Sequence, residues 1–123
     1  MQTWELLPHL ASLPRMVGGI SASLLAPADG WLRLRWRVEG TAALLVPPFA
    51  GRGRADGLWQ STCFELFVQP ADGAAYAEFN FSPSEQWAAY DFVGRRLGMA
   101  ERPMPRQPVC TMRLGRDLSL IHI

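Results

Sequence analysis

Apolar and polar residues alternate with a period of two along much of this chain, which predicts strands rather than helices. The cleanest run is Trp31 to Val38. There Leu32, Leu34, Trp36 and Val38 alternate with Arg33, Arg35, Arg37 and Glu39. The richest stretch is Trp59 to Trp87. Its turn, Pro70-Ala71-Asp72-Gly73-Ala74-Ala75, carries the Pro, Asp and Gly that tight reversals use. With Gln69 opposite Tyr76, Leu66 faces Phe79, Phe64 faces Phe81 and Val68 faces Ala77. All six are apolar and share one side, because side chains alternate along a strand. The opposite side carries Cys63, Glu65, Phe67, Gln69, Tyr76, Glu78 and Asn80. One face is core, and the other mixes acids, an amide and rings, a platform suited to a small polar ligand.

The rest of the chain divides at its turns. Residues 1–18 read as an irregular lead-in, with Trp4, Leu6 and Leu7 as anchors. Ile20 to Leu25 is a weak strand, Asp29-Gly30 a turn, and Ala42 to Val46 a short strand ended by Pro47-Pro48. Residues 49–57 and 98–108 read as loops, and Val109 to Leu114 as a last strand. Residues 84–97 fit two readings. One is a helix capped by Ser84-Glu85-Gln86 with Trp87, Tyr90 and Leu97 along one side. The other is a strand from Gln86 to Val93. In the strand reading, with Phe81 opposite Gln86, Trp87 lies opposite Asn80. Glu65, Asn80 and Trp87 then form one row on the mixed face. The expected fold is all-β, an antiparallel β-sandwich with Trp36, Phe64, Leu66, Phe79 and Phe81 in its core. It is expected as a single domain over 1–123. The apolar end, Leu118 to Ile123, stops without a turn, so the sandwich reads as C-terminally incomplete and 118–123 as non-native sequence.

Composition narrows the function. The 123 residues are 49% hydrophobic, with 11 Gly and 10 Pro, which suits a turn-rich β domain with a real core. The net charge is +1, so no strong attraction to nucleic acid or membrane is expected. The two cysteines, Cys63 and Cys110, are too few for a disulfide scaffold. No leader opens the chain and no apolar run reaches membrane-spanning length. The expectation is a soluble, cytoplasmic protein.

Several constellations carry chemistry. Glu65 and Glu78 lie on one face of neighbouring strands, a spacing compatible with glycosidase acid–base work. Sheets often expose two glutamates, however, and such work needs environments that separate the two pKa values. Trp59, Trp87, Phe67, Tyr76 and Tyr90 offer stacking surfaces, although tryptophans more often fill cores. Arg33, Arg35 and Arg37 form a basic stripe that reads as a solvated face. His9 and His122 are far apart and neither is near a Cys at zinc spacing, so no metal site is expected. Asp56 and Asp72 leave a loop calcium site open. Haem ligation by His9 with Met16 or Met99 has no spacing signature.

The segments DGLWQSTCFELFV, YAEFNFSPSEQWAAYDF and GRRLGM, with the opening PHL, the strand DGWLRLRWRVEG and the loop RADGLW, resemble bacterial DOMON-like proteins related to family 9 carbohydrate-binding modules. The resemblance runs to about Met99. It implies a β-sandwich binding a small ligand, in relatives a sugar or a haem, and it favours a strand over 86–93. Family 9 modules grip a sugar end between tryptophans, with acids and amides on its hydroxyls. Trp59, Glu65, Asn80 and Trp87 are the positions able to take those roles. The expected function is therefore a non-catalytic carbohydrate-binding module without a cofactor. The alternatives are a haem- or redox-binding domain and a glycan-active enzyme using Glu65 and Glu78.

Overall fold

A computed structural model describes residues 1–8, 18–39, 46–114 and 117–122. The chain is all-β and sandwich-like in strand content, with ten strands in two sheets among the described residues. It divides into two compact units, Met1–Val46 with Pro108–Ile123, and Pro47–Gln107.

The first unit holds β1 (Gln2–Glu5), β2 (Gly19–Ala28), β3 (Trp31–Glu39), β9 (Val109–Leu114) and β10 (Asp117–His122). Their order is β1-β2-β3-β10-β9, and every pairing is antiparallel. Asp29 and Gly30 join β2 to β3 with φ of 52° and 77°, so both central turn residues are left-handed. That geometry matches the strand twist and explains the Asp-Gly pair. On β3, Leu34, Trp36 and Val38 are buried while Arg35 and Arg37 are exposed, so the alternation reports burial from Leu34 on, whereas Leu32 is exposed and Arg33 half-buried. The lead-in contains a strand after all. β1 pairs with Ser21–Leu24, and all four of its residues are exposed, which leaves no apolar period to read. Of the expected strand over 42–46, residues 42–45 lie outside the described residues. The backbone of β10 runs between β3 and β9, with a register irregularity between Ser119 and Ile121.

The second unit holds β4 (Gly53–Arg54), β5 (Phe64–Val68), β6 (Tyr76–Phe81), β7 (Gln86–Phe92) and β8 (Ala100–Glu101). The order is β4-β7-β6-β5, with β8 also paired to β7. The short β4 and β8 interrupt the two segments expected as loops. β4 runs parallel to β7, the one departure from antiparallel pairing among the described strands. Between β4 and β8 the Arg54 guanidinium donates to the carbonyls of Ala89, at 3.1 Å, and Arg102, at 2.7 Å. It lies 4.4 Å above the Trp87 ring and pairs with Glu101 at 3.1 Å. One planar cation thus reinforces the edge of β7 where the Ala55 N–H bonds the Trp87 carbonyl and the Arg102 N–H bonds the Ala89 carbonyl.

The β5–β6 register is the expected one, Leu66 opposite Phe79 and Phe64 opposite Phe81. The β6–β7 register is not. Residues 86–92 are a strand, but Phe81 faces Trp87 and Asn80 faces Ala88. The turn explains the one-residue difference. The Ser82 N–H reaches the Gln86 carbonyl at 3.0 Å and the Glu85 N–H reaches the Ser82 carbonyl at 2.9 Å. This leaves a three-residue loop whose last member, Glu85, has φ of 73°. Glycine usually marks that left-handed position. Here a glutamate fills it, so the sequence carries no signal for the shorter loop. Slipping one residue moves every β7 side chain to the other face. Phe81, Trp87 and Ala89 are buried on one face of the sheet, and Asn80, Ala88, Tyr90 and Phe92 are buried on the other. Phe64, Leu66 and Phe79, expected in the core with Trp36 and Phe81, are only half-buried.

Candidate functional site

The opposite face of β5, β6 and β7 carries the chemistry. Glu65 stands opposite Asn80, and Asn80 opposite Ala88. One step along, Phe67 faces Glu78, Glu78 faces Tyr90 and Tyr90 faces Glu101. Glu65 and Glu78 are therefore diagonal neighbours, about 7–8 Å apart at the backbone in a regular antiparallel pair.

A short 3-10 turn, Leu58–Gln60, docks onto this face. Leu58 is buried against Ala88, Tyr90 and Phe92, with Ala55, Cys63 and Tyr76 packed around them. Gly57 enters the turn at φ 71°, and the Gln60 N–H closes it on the Gly57 carbonyl at 3.1 Å. The Tyr90 hydroxyl donates to Asp56 Oδ1 at 2.5 Å and fixes the preceding loop. Anchored on both sides in this way, the turn leaves Trp59 66% exposed.

The acids make one shared electrostatic environment. Burial, then the Glu78 charge, raises the Glu65 carboxyl above its ordinary value. Burial pushes the Cys63 thiol up to about 11, helped by Glu65 and Glu78 and opposed by a hydrogen bond with the Phe81 backbone. The Tyr90 hydroxyl is pushed up to about 12 by burial, by its bond to Asp56 and by the charges of Asp56 and Glu78, with Arg54 opposing. Each shift disfavours an anion, so this face holds protons tightly and favours donors from a partner. Asn80 is 2% exposed, and its Oδ1 has no hydrogen-bond partner among the described residues.

Of the four expected site residues, the structure brings Glu65 and Asn80 together and sets Trp59 on the turn docked to their face. Trp87 is separated from them. It is 2% exposed, on the other face under Arg54, because of the β6–β7 register. Asp56 and Tyr90 are the site residues that pattern reading missed as a pair. Tyr90 was legible as a strand position, but its tie to Asp56 spans 34 residues and leaves no local trace.

Among the described residues no group of three or more His, Cys, Asp or Glu is placed to hold a metal ion. Asp72 stands in the exposed 70–75 turn. For haem, His9, Met16 and the side chain of His122 lie outside the described residues, and Met99 is exposed. No helix among the described residues is long and apolar enough to cross a membrane. Comparison with models of known protein families, with curated proteins and with solved structures finds no match.

Proposed function

We propose that this chain is a non-catalytic carbohydrate-binding module whose site is the Glu65–Glu78–Asn80 face, with Trp59 at its rim. The observation that carries the reading is the exposed Trp59, next in the chain to Leu58, which is buried on the face that bears Glu78 and Asn80. Pyranose rings have an apolar C–H face and hydroxyl edges. A fixed indole stacks on the first, and carboxylates accept hydrogen bonds from the second. A face whose acids are already crowded gains most from donors that bring no charge, and sugar hydroxyls are such donors. The resemblance to family 9 carbohydrate-binding modules agrees with this choice of ligand. A glycan-array screen followed by calorimetry tests it. The expected result is a glycan hit that weakens by about 1–3 kcal/mol in Glu65→Gln and in Trp59→Ala. A hit bound equally by both folded variants would move the site elsewhere.

One observation favours a second reading, a glycan-active enzyme. The Glu65 carboxyl, raised by burial and by the Glu78 charge, is suited to hold a proton as a general acid does. Against it, Glu65 is exposed, and two grooves of this unit, of about 510 and 480 Å³, are lined by neither glutamate. Hydrolysis of a chromogenic glycoside, abolished in Glu65→Gln, would select the enzyme.

A further inference from the structure

A pocket of about 480 Å³ opens at the far end of the same face, lined by Phe67, Gln69, Ala74, Tyr76, Arg95 and Arg96. Its floor is aromatic. Phe67 and Tyr76 lie 6.1 Å apart at 55°, and Tyr76 stacks on Phe92 at 4.8 Å. Phe67 is 54% exposed, so its ring is available to a ligand.

The wall is basic. The Leu97 N–H bonds the Gly94 carbonyl at 3.0 Å, which makes Arg95 and Arg96 the two central residues of a β-turn. Arg96 has φ of 56°, where a glycine would be less strained. Its N–H donates to the Tyr76 hydroxyl at 3.1 Å, so the turn is pinned to the aromatic floor. A non-glycine residue held in that region is an outlier of the kind that accumulates at ligand sites. Other arginines of this unit are satisfied. Arg52 holds Glu85 at 3.4 Å, Arg54 holds Glu101 at 3.1 Å and Arg102 holds Asp91 at 2.7 Å. Arg95 and Arg96 hold no carboxylate among the described residues. Glu78, opposite Phe67, is the nearest acid along the face and makes no ion pair with them.

Two guanidiniums without an acid, beside an exposed ring, call for an anion carried on an apolar-faced body. The geometry points to a subsite for an acidic sugar, a uronate residue whose carboxylate meets Arg95 and Arg96 while its ring lies on Phe67. This rests on the carbohydrate reading and adds charge selectivity to it. The pocket volume accommodates one monosaccharide, and the acids around Glu65 disfavour a carboxylate there while the basic end favours one.

Matched titrations of the full chain test it. Cello-oligosaccharide is compared with its C6-carboxylated counterpart, and neutral galacto-oligosaccharide with oligogalacturonate. The variants are Arg95→Gln/Arg96→Asn, chosen because Asn tolerates positive φ, and Arg35→Gln, on β3 of the first unit, as a charge control. The expected result is that the carboxylated member of at least one pair binds roughly tenfold tighter or more to the parent and to Arg35→Gln. In the double variant the two members bind alike. A preference that survives the double variant, or neutral binding with no preference in any pair, overturns the uronate subsite and leaves the carbohydrate reading standing. Binding of neither member of any pair overturns both.

Discussion

The Tyr90 hydroxyl sits 2.5 Å from Asp56 Oδ1 and ties strand β7 to the loop that leads into the Trp59 turn. This bond, with Leu58 beneath, holds an indole in water without a long loop around it. Tyr90→Phe should lower stability by about 1–2 kcal/mol, measured by chemical denaturation, since a bond to a charged acceptor is lost while Asp56 stays exposed to water. The same bond sets a pH limit. The Tyr90 hydroxyl lies near 12 when folded and near 10.0 otherwise, so its contribution is full below pH 10 and is lost as pH rises through 12. A tyrosinate absorbance titration should show a step near 12 that Tyr90→Phe removes.

Cys63 should be a slow nucleophile. Its thiol is pushed up to about 11, and the thiolate is the reactive form. At pH 8 its alkylation should run at least about tenfold slower than that of a free cysteine, with the rate still climbing above pH 9. Glu65→Gln removes one of the charges that hold the proton on and should speed the reaction. Unchanged kinetics in that variant would mean the acids of this face do not act together.

Trp87 and Phe79 should differ in the opposite sense to their sequence reading. Trp87 lies buried under Arg54, and Phe79 is half-buried. Trp87→Ala should cost about 3–5 kcal/mol of stability. Phe79→Ala should cost less, about 1–3 kcal/mol, because much of its ring stays near water. Denaturation midpoints for both variants and for Phe81→Ala give the ranking, with Phe81 and Trp87 together above Phe79.

Alternation exposed most of the sheet. The β3 pattern and the β5–β6 pairing were legible because Arg33, Arg35 and Arg37 on β3, Glu65 on β5 and Glu78 and Asn80 on β6 alternate with apolar residues, and because Pro70, Asp72 and Gly73 marked the turn. The β6–β7 pairing was not legible, since Glu85 occupies a left-handed position with no glycine to announce it. That single residue of register carried Trp87 out of the expected row. The site was half legible for the same reason. Glu65 and Asn80 follow from β5 and β6 alone, whereas the placement of Asp56, Leu58 and Trp59 depends on contacts distant in sequence. The half-burial of Phe64, Leu66 and Phe79 was illegible too, because alternation gives the side of a strand but not how deeply that side is covered.

The central claim is that ligand meets the Glu65–Glu78 face and not the Trp87 face. Amide and indole resonances followed during titration with a glycan hit test this most directly. The Trp59 indole N–H and the backbone amides of Glu65, Phe67 and Glu78 should shift in a saturable way, while the Trp87 indole stays in place. Saturable shifts centred on Trp87 and Ala89, with Trp59 and Glu65 unmoved, would contradict the account.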